Sequence, residues 1–167
     1  MVLWSASVWA GHVKGTVLRD DGPGKLEVHI AIDGGAFATT TEAFDLDVED
    51  GTHVLTFIGP EFAKHDQIVT VKGATKLDVS VESGKRIIGR VIDYNGEPIA
   101  GATVLAYTDI VDRSDPIETL WLQGAKTTTS SAAGFFKIDG IGDDDLPKLV
   151  AYTATDSSVV QLATRTS

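Results

Sequence analysis

The chain has 167 residues, of which 43% are hydrophobic, and its 14 basic and 24 acidic residues give a net charge of −10 at pH 7. This length can bury one ordinary core or two small ones, and the negative charge opposes binding to nucleic acid or to an anionic membrane. The sequence contains no cysteine, which excludes disulfides and thiolate metal sites. No apolar run approaches the roughly 20 residues that span a bilayer, so we expect no membrane insertion.

The N-terminal segment carries two tryptophans, Trp4 and Trp9, ahead of the first strand pattern. It has no basic region and only a short apolar run broken by serines, so we predict that it is not a signal peptide. Aromatic side chains outside a core often bind a partner. We therefore predict that residues 1–11 form either an extra edge strand packed on the first sandwich or an arm that docks on a neighbouring subunit. Stacking of the tryptophans on carbohydrate is a third interpretation.

Residues 12–83 carry the pattern of half-buried β-strands. Apolar and polar side chains alternate from Leu26 to Asp33 and from Phe44 to Val48, which is the period of a strand with one face in a core. Threonine and valine runs, many glycines and the lack of long helical periodicity favour an all-β protein. We expect a loop from Gly59 to Gln67 and a closing strand that ends near Val81.

A short junction, Ser83-Gly84-Lys85, separates this pattern from a second one. The second half contains an insertion from Asp109 to Gln123, in which Leu120, Trp121 and Leu122 form an apolar tip. Loops carry much of the binding function of β-sandwiches, so this tip is a candidate interface. A small apolar cap that folds back on the domain is an equally good interpretation.

Two segments of the second half carry a family pattern. A strand, a glycine turn and another strand run from Gly89 to Val104, and a later hairpin centres on Gly134. Asp93 can bond its own turn backbone, and Gly96 can supply a positive φ. These segments resemble the carboxypeptidase regulatory-like domain, a prealbumin-type, immunoglobulin-like β-sandwich. The matching residues are Gly89, Val91, Asp93, Gly96, Pro98, Gly101, Ala102, Val104, Gly134, Phe136 and Ile138. Ser131 departs from the family, which usually carries an aspartate in this turn.

An internal repeat extends the resemblance to the first half. Gly15-Thr16-Val17 can be aligned with Gly89-Arg90-Val91, and a threonine triplet precedes the next apolar strand in each half. We therefore predict an all-β protein of two tandem immunoglobulin-like, prealbumin-like β-sandwiches. The predicted division is residues 1–11 as an arm or extra strand, 12–83 as the first domain, and 84–167 as the carboxypeptidase regulatory-like domain.

The sequence shows no convergent catalytic or metal-binding pattern. The four histidines form no pair in a known ligand spacing, so we interpret them as surface or strand-end residues. The acids between Asp45 and Asp50 alternate with apolar residues, as on the solvated face of a strand. Asp143-Asp144-Asp145 is the better calcium candidate, although it lacks the spacing of an EF-hand loop. No serine-nucleophile motif or phosphate-binding glycine loop is present, and we predict no catalytic, metal or cofactor-binding residues.

Domains of the resembled family occur in peptidases, outer-membrane receptors, surface adhesins and phage structural proteins, so the fold does not select one function. We predict a non-enzymatic structural protein of a virion, made in the host cytoplasm, that decorates a capsid or builds a tail or fibre. Its partners are predicted to be other structural subunits, in a homo- or hetero-oligomeric assembly. The alternative is a carbohydrate-binding or adhesion module at the bacterial cell surface, with Trp121 and Tyr107 as an aromatic platform for a glycan. The predicted partner-binding residues are Trp4, Trp9, Leu120, Trp121 and Leu122.

Overall fold

A computed structural model describes residues 10–22, 26–107, 117–142, 147–153 and 161–166. Within these ranges the chain forms thirteen β-strands and one short α-helix. In chain order they are β1 Ala10–Arg19, β2 Val28–Ile32, β3 Phe37–Thr40, β4 Ala43–Glu49, β5 Gly51–Gly59, β6 Phe62–Val71, β7 Ala74–Val81, β8 Lys85–Ile92, β9 Thr103–Tyr107, α1 Ile117–Leu122, β10 Lys126–Thr129, β11 Phe135–Ile141, β12 Lys148–Tyr152 and β13 Gln161–Thr166.

The strands form four sheets in two compact units. The first unit contains residues 1–57 and 65–81, and the second contains 58–64 and 82–167. Sheets β4-β1-β7 and β3-β2-β5-β6 belong mainly to the first unit, and sheets β10-β9-β12 and β11-β8-β13 to the second. The predicted all-β sandwich fold is confirmed. The predicted division after Ser83 stays a prediction, and residues 58–64 group with the second unit although the sequence interpretation placed them in the first domain.

The first unit is organised around β1, which pairs antiparallel with β4 and parallel with β7. Residues of β1 alternate strictly, with Val13 and Val17 fully buried and Lys14 exposed. Strand alternation therefore gives this sheet one apolar and one polar face. The core of the first unit contains buried side chains from both of its sheets and from the segment before β2: Val13, Val17, Leu26, Val28, Ile30, Phe44, Val48, Leu55, Phe57, Val69, Val71, Val79 and Val81.

The predicted loop from Gly59 to Gln67 is wrong. Only Pro60 and Glu61 lie between β5 and β6, and β6 begins at Phe62. The polar run Lys64-His65-Asp66-Gln67 concealed the strand, because its charged members alternate toward solvent while Phe62 and Val69 are buried. The middle of this strand contains few apolar residues, so its sequence does not show the alternation by which a strand is predicted.

The second unit is organised around β8, which pairs antiparallel with β11 and β13. Ile87 and Val91 point into the core from β8, and the predicted inward positions Ala102 and Val104 are both fully buried. The core cluster consists of Ile87, Val91, Ala102, Val104, Ala106, Phe136, Ile138, Ile141 and Ala151.

The sequence repeat has a counterpart in strand register. Gly15 of β1 lies opposite Phe44 of β4, and Gly89 of β8 lies opposite Phe136 of β11. Each glycine therefore stands in the central strand of a three-stranded sheet, beside a buried phenylalanine. The third strand differs between the units, because β7 runs parallel to β1 whereas β13 runs antiparallel to β8.

The turn residues behave as the sequence predicts. The Asp93 carboxylate accepts hydrogen bonds from the backbone N–H groups of Asn95 (2.8 Å) and Glu97 (2.9 Å), and Gly96 has a φ of 86°. These backbone hydrogen bonds, led by the one from Glu97, lower the pKa of Asp93. At the position where the resembled family carries an aspartate, the Ser131 hydroxyl accepts a hydrogen bond from the N–H of Phe135 at 3.1 Å. Serine therefore performs the turn-capping role expected of the aspartate.

Candidate interaction surfaces

The structure places the predicted partner-binding residues in different environments. Trp4 and Trp9 lie outside the described residues. Leu120 is only 3% exposed and packs with Leu105 and Ala125. Trp121 and Leu122 are half-buried at the end of α1. The Leu120 side chain thus acts as a cap on the second unit, which is the second of the two interpretations of the insertion. Partner binding by Trp121 and Leu122 stays a prediction.

The proposed aromatic platform is only partly exposed. Tyr107 packs against the same cluster of Leu105, Leu120 and Ala125. The most exposed aromatic side chain among the described residues is instead that of Tyr94, which lies in the turn after β8 and is 93% exposed.

One sheet face of the second unit combines exposed apolar side chains with cations. Phe135 is 57% exposed and Ile88 is 44% exposed; Ile88 lies in the central strand β8, and Phe135 begins the neighbouring strand β11. The register places Phe135 opposite Arg90 and Lys137 opposite Ile88. We call this surface the Phe135 face and define it by Arg86, Ile88, Arg90, Phe135, Lys137 and Asp139.

Side chains of the Phe135 face hold one another in place. The guanidinium carbon of Arg90 lies 5.4 Å from the centre of the Phe135 ring, within the range of a cation–π contact. Arg90 Nε also donates to the Ala133 carbonyl at 2.9 Å. Asp139 accepts from Arg86 Nε at 2.5 Å and from Lys137 Nζ at 2.6 Å. Burial raises the pKa of Asp139, but these hydrogen bonds outweigh it, so the pKa is lowered and the carboxylate stays ionised.

The Phe135 face was not predicted, although the sequence contains a pattern that indicates it. Two adjacent phenylalanines, Phe135 and Phe136, cannot both point inward from a strand, because successive side chains alternate between its faces. The same holds for Ile87 and Ile88. In each pair one member is buried and the other is exposed. Strand alternation together with the neighbouring Arg90 would have identified the surface.

The first unit has a polar counterpart on sheet β4-β1-β7. We call it the β4 face and define it by the outward residues His12, Lys14, Thr16, Asp45, Asp47, Glu49, Lys76 and Asp78. The prediction that the acids of β4 lie on a solvated strand face is confirmed by their alternating exposure. His12 lies 2.5 Å from Asp45 and 3.3 Å from Asp47, and Asp78 binds Thr16 and Lys76, each at 2.8 Å. An open depression of about 930 Å³ adjoins this face.

Two further histidines lie beside carboxylates, which the sequence interpretation did not predict. His53 Nδ1 is 2.7 Å from Asp33, and His29 Nε2 is 3.1 Å from Glu27. The hydrogen bond with Asp33 raises the pKa of His53, and the same bond lowers the pKa of Asp33. Among the residues that the structure describes, no three metal-binding side chains converge. Asp143, Asp144 and Asp145, the calcium candidates, lie outside the described residues.

Lys126 is buried within the second unit and binds backbone carbonyls. Its side chain starts at the first residue of β10, and Nζ donates to the carbonyls of Gly59 (2.5 Å) and Phe62 (2.7 Å). Nζ also lies 5.8 Å from the centre of the Phe62 ring. Because Lys126 is only 8% exposed, desolvation lowers the pKa of its ammonium to about 8.

The described helix α1 is far too short to cross a membrane, and no other helix is described.

Comparison with known proteins identifies no family for the chain. No protein-family model matches it, and no curated protein matches it. Among solved structures, a DUF3823 family protein from Bacteroides ovatus is 12% identical with a TM-score of 0.35, matched over 93% of this chain and 97% of its own. The TIE protein of Bacillus anthracis is 13% identical with a TM-score of 0.34, matched over 94% of this chain and 30% of its own. A streptococcal ancillary pilin is 11% identical with a TM-score of 0.39, matched over 96% of this chain and 60% of its own. The chain spans less than two thirds of the latter two proteins.

Proposed function

We propose that this protein is a non-enzymatic structural component that uses its β-sandwich units to assemble with other protein subunits. The Phe135 face carries this proposal. It exposes Phe135 and Ile88 beside Arg90 in a chain of net charge −10. Aromatic residues and arginine are enriched at protein interfaces and supply most of their binding energy.

The exposed apolar side chains of this face and its ordered cations favour binding to another protein over contact with water. Phe135 and Ile88 leave apolar area in water, which a partner would bury at a gain of about 25 cal/mol for each Å². Asp139 fixes Arg86 and Lys137, so these side chains lose less rotamer freedom when a partner binds. A pre-ordered, partly apolar surface is the usual design of an assembly contact.

The finer assignment follows the sequence pattern. We propose that the second unit is a carboxypeptidase regulatory-like domain, supported by the Asp93 cap, the positive φ of Gly96 and the Ser131 turn. We also propose a virion as the assembly, with the chain in a capsid decoration, tail or fibre. Trp4, Trp9, Trp121 and Leu122 are proposed as further contacts with neighbouring subunits.

Immunoelectron microscopy tests this proposal directly. Antibodies raised against the purified chain are applied to virus particles and to cell envelopes from the source. Labelling of assembled particles supports the structural role, and a Phe135→Ser variant is expected to enter particles less well than the native chain. Labelling confined to the cell envelope would reject the virion.

One observation favours the alternative of an envelope adhesion module. Tyr94 is exposed on the turn after β8, where its ring could stack on a sugar. A glycan array with the native chain and a Tyr94→Ala variant separates the two functions. Specific glycan binding that is lost in Tyr94→Ala would favour adhesion.

A further inference from the structure

The Phe135 face and the β4 face are complementary in charge and spacing. We propose that the Phe135 face of one copy of this chain binds the β4 face of a second copy. This inference rests on the proposed assembly function and names the partner of the same surface.

Charge supplies the first argument. On the Phe135 face, Arg86, Arg90 and Lys137 outnumber the single carboxylate of Asp139. On the β4 face, four carboxylates outnumber two lysines; they are Asp45, Asp47, Glu49 and Asp78 against Lys14 and Lys76. The faces therefore have opposite net charge, and complementary potentials guide association and select its register.

Spacing supplies the second argument. Arg86 and Arg90 lie four residues apart on β8, and Asp45 and Glu49 lie four residues apart on β4. At about 3.3 Å per residue, both pairs span about 13 Å. Asp47 lies on β4 midway between Asp45 and Glu49, and Lys137 lies at the midpoint between the arginines on the adjacent strand β11, opposite Ile88 and about 4.8 Å to the side. Three cations can thus meet three carboxylates in one register.

The apolar part of the Phe135 face supplies the third argument. Phe135 and Ile88 adjoin the cations, and the β4 face offers Thr16 and the aliphatic stem of Lys14 in the neighbouring strand. Lysine stems readily cover apolar surface while the ammonium group stays in water. The contact therefore buries apolar area without stranding a charge.

The geometry of this contact determines the form of the assembly. Two different faces of the chain would meet, so a bound pair would keep a free β4 face on one copy and a free Phe135 face on the other. Such heterologous contacts produce rings or open filaments rather than closed two-fold dimers. We expect a series of oligomers that grows with concentration.

Sedimentation velocity of the full chain tests the contact. The average mass should increase with protein concentration at low salt. It should return toward the monomer in about 1 M salt, where the Debye length is about 3 Å. A doubly reversed variant, Arg86→Glu with Arg90→Glu, and a second variant, Asp45→Lys with Glu49→Lys, should each weaken association about tenfold or more.

Mixing the two variants gives the sharpest result. The reversed arginines should bind the reversed acids, and the remaining native faces should bind each other, so the mixture should regain association that neither variant shows alone. Lys72→Glu with Lys148→Glu matches the charge change of the first variant at exposed positions outside both faces, and it should assemble like the native chain. Phe135→Ser should also weaken assembly. Because Phe135 is exposed and forms no ion pair with Asp139, this variant tests the face even if the arginine variant fails to fold.

Three outcomes would overturn the inference. They are a monomer at all concentrations, association that persists in the arginine variant, and a mixture that stays monomeric although both variants fold. If the native chain is monomeric in solution but antibodies against it label virus particles, self-assembly is rejected and the proposed structural function stands.

Discussion

Replacement of Lys126 by methionine tests how a buried ammonium stabilises the second unit. Methionine fills similar space but cannot donate to the carbonyls of Gly59 and Phe62, both of which belong to buried residues. A stranded buried acceptor costs about 1–3 kcal/mol, so the two carbonyls together cost about 2–6 kcal/mol.

The lowered pKa of Lys126 opposes part of this loss at neutral pH. The pKa falls from 10.5 to about 8, and this difference makes the charged form about 3 kcal/mol less favourable in the folded chain than in the unfolded one. Methionine removes that penalty. We therefore expect the net effect of Lys126→Met on stability at pH 7 to lie between about 1 kcal/mol of stabilisation and about 3 kcal/mol of destabilisation.

The lowered pKa of Lys126 makes the stability of the native chain depend on pH in a definite direction. Between pH 8 and 10.5 the unfolded lysine keeps its proton while the folded one loses it, so the native chain gains stability as pH rises through this window. Lys126→Met lacks this gain, and its deficit should widen to about 2–6 kcal/mol near pH 10.5.

Urea unfolding followed by circular dichroism, at several pH values, measures this difference. Lys148→Met, which removes an exposed lysine from the same unit, is the control and should show no widening. If the difference between native and Lys126→Met stays constant from pH 7 to 10.5, the proposed desolvation of the ammonium is wrong.

Three other predictions concern a glycine of β11, the Ser131 turn and the ion pair between His53 and Asp33. Gly140→Ala should destabilise the protein by at least about 2 kcal/mol in thermal melts, because φ is 72° and the added Cβ would lie 2.5 Å from the Phe62 carbonyl oxygen. Gly73→Ala is the control: its φ is also positive but the added Cβ meets open space, so it should cost only about 1–2 kcal/mol. Ser131→Ala should cost about 1 kcal/mol, whereas Ser131→Asp should retain the cap; equal losses in both would refute the capping role. The raised pKa of His53 means that its pair with Asp33 stabilises fully below pH 6.5 and less as pH rises through the folded pKa. His53→Gln should thus differ most from the native chain just below pH 6.5, and a difference that grows in alkali would contradict the pair.

Local patterns in the sequence were enough to predict the elements that depend on neighbouring residues. Alternation predicted the inward positions Ala102 and Val104, and turn chemistry predicted the Asp93 cap and the positive φ of Gly96. These features depend on side-chain direction and backbone conformation within a few residues, which the sequence states directly. The same local rule applied to Phe135 and Phe136 would have predicted the exposed aromatic of the Phe135 face.

Features that depend on strand pairing could not be predicted in this way. His12 meets Asp45 and Asp47 only because β1 pairs with β4 in one register, and a shift of one residue would have turned these carboxylates to the other face. The burial of Leu120 likewise required α1 to pack on β9.

The sequence by itself thus determined an all-β chain, its alternating faces and its turns, because these follow from the strand period and from local backbone preferences. Only the tertiary structure decided that Lys126 is buried against the carbonyls of Gly59 and Phe62, more than sixty residues earlier in the chain. It also decided which cations and apolar groups share the Phe135 face. These contacts depend on which strands become neighbours, a choice made by the packing of whole sheets rather than by any short segment.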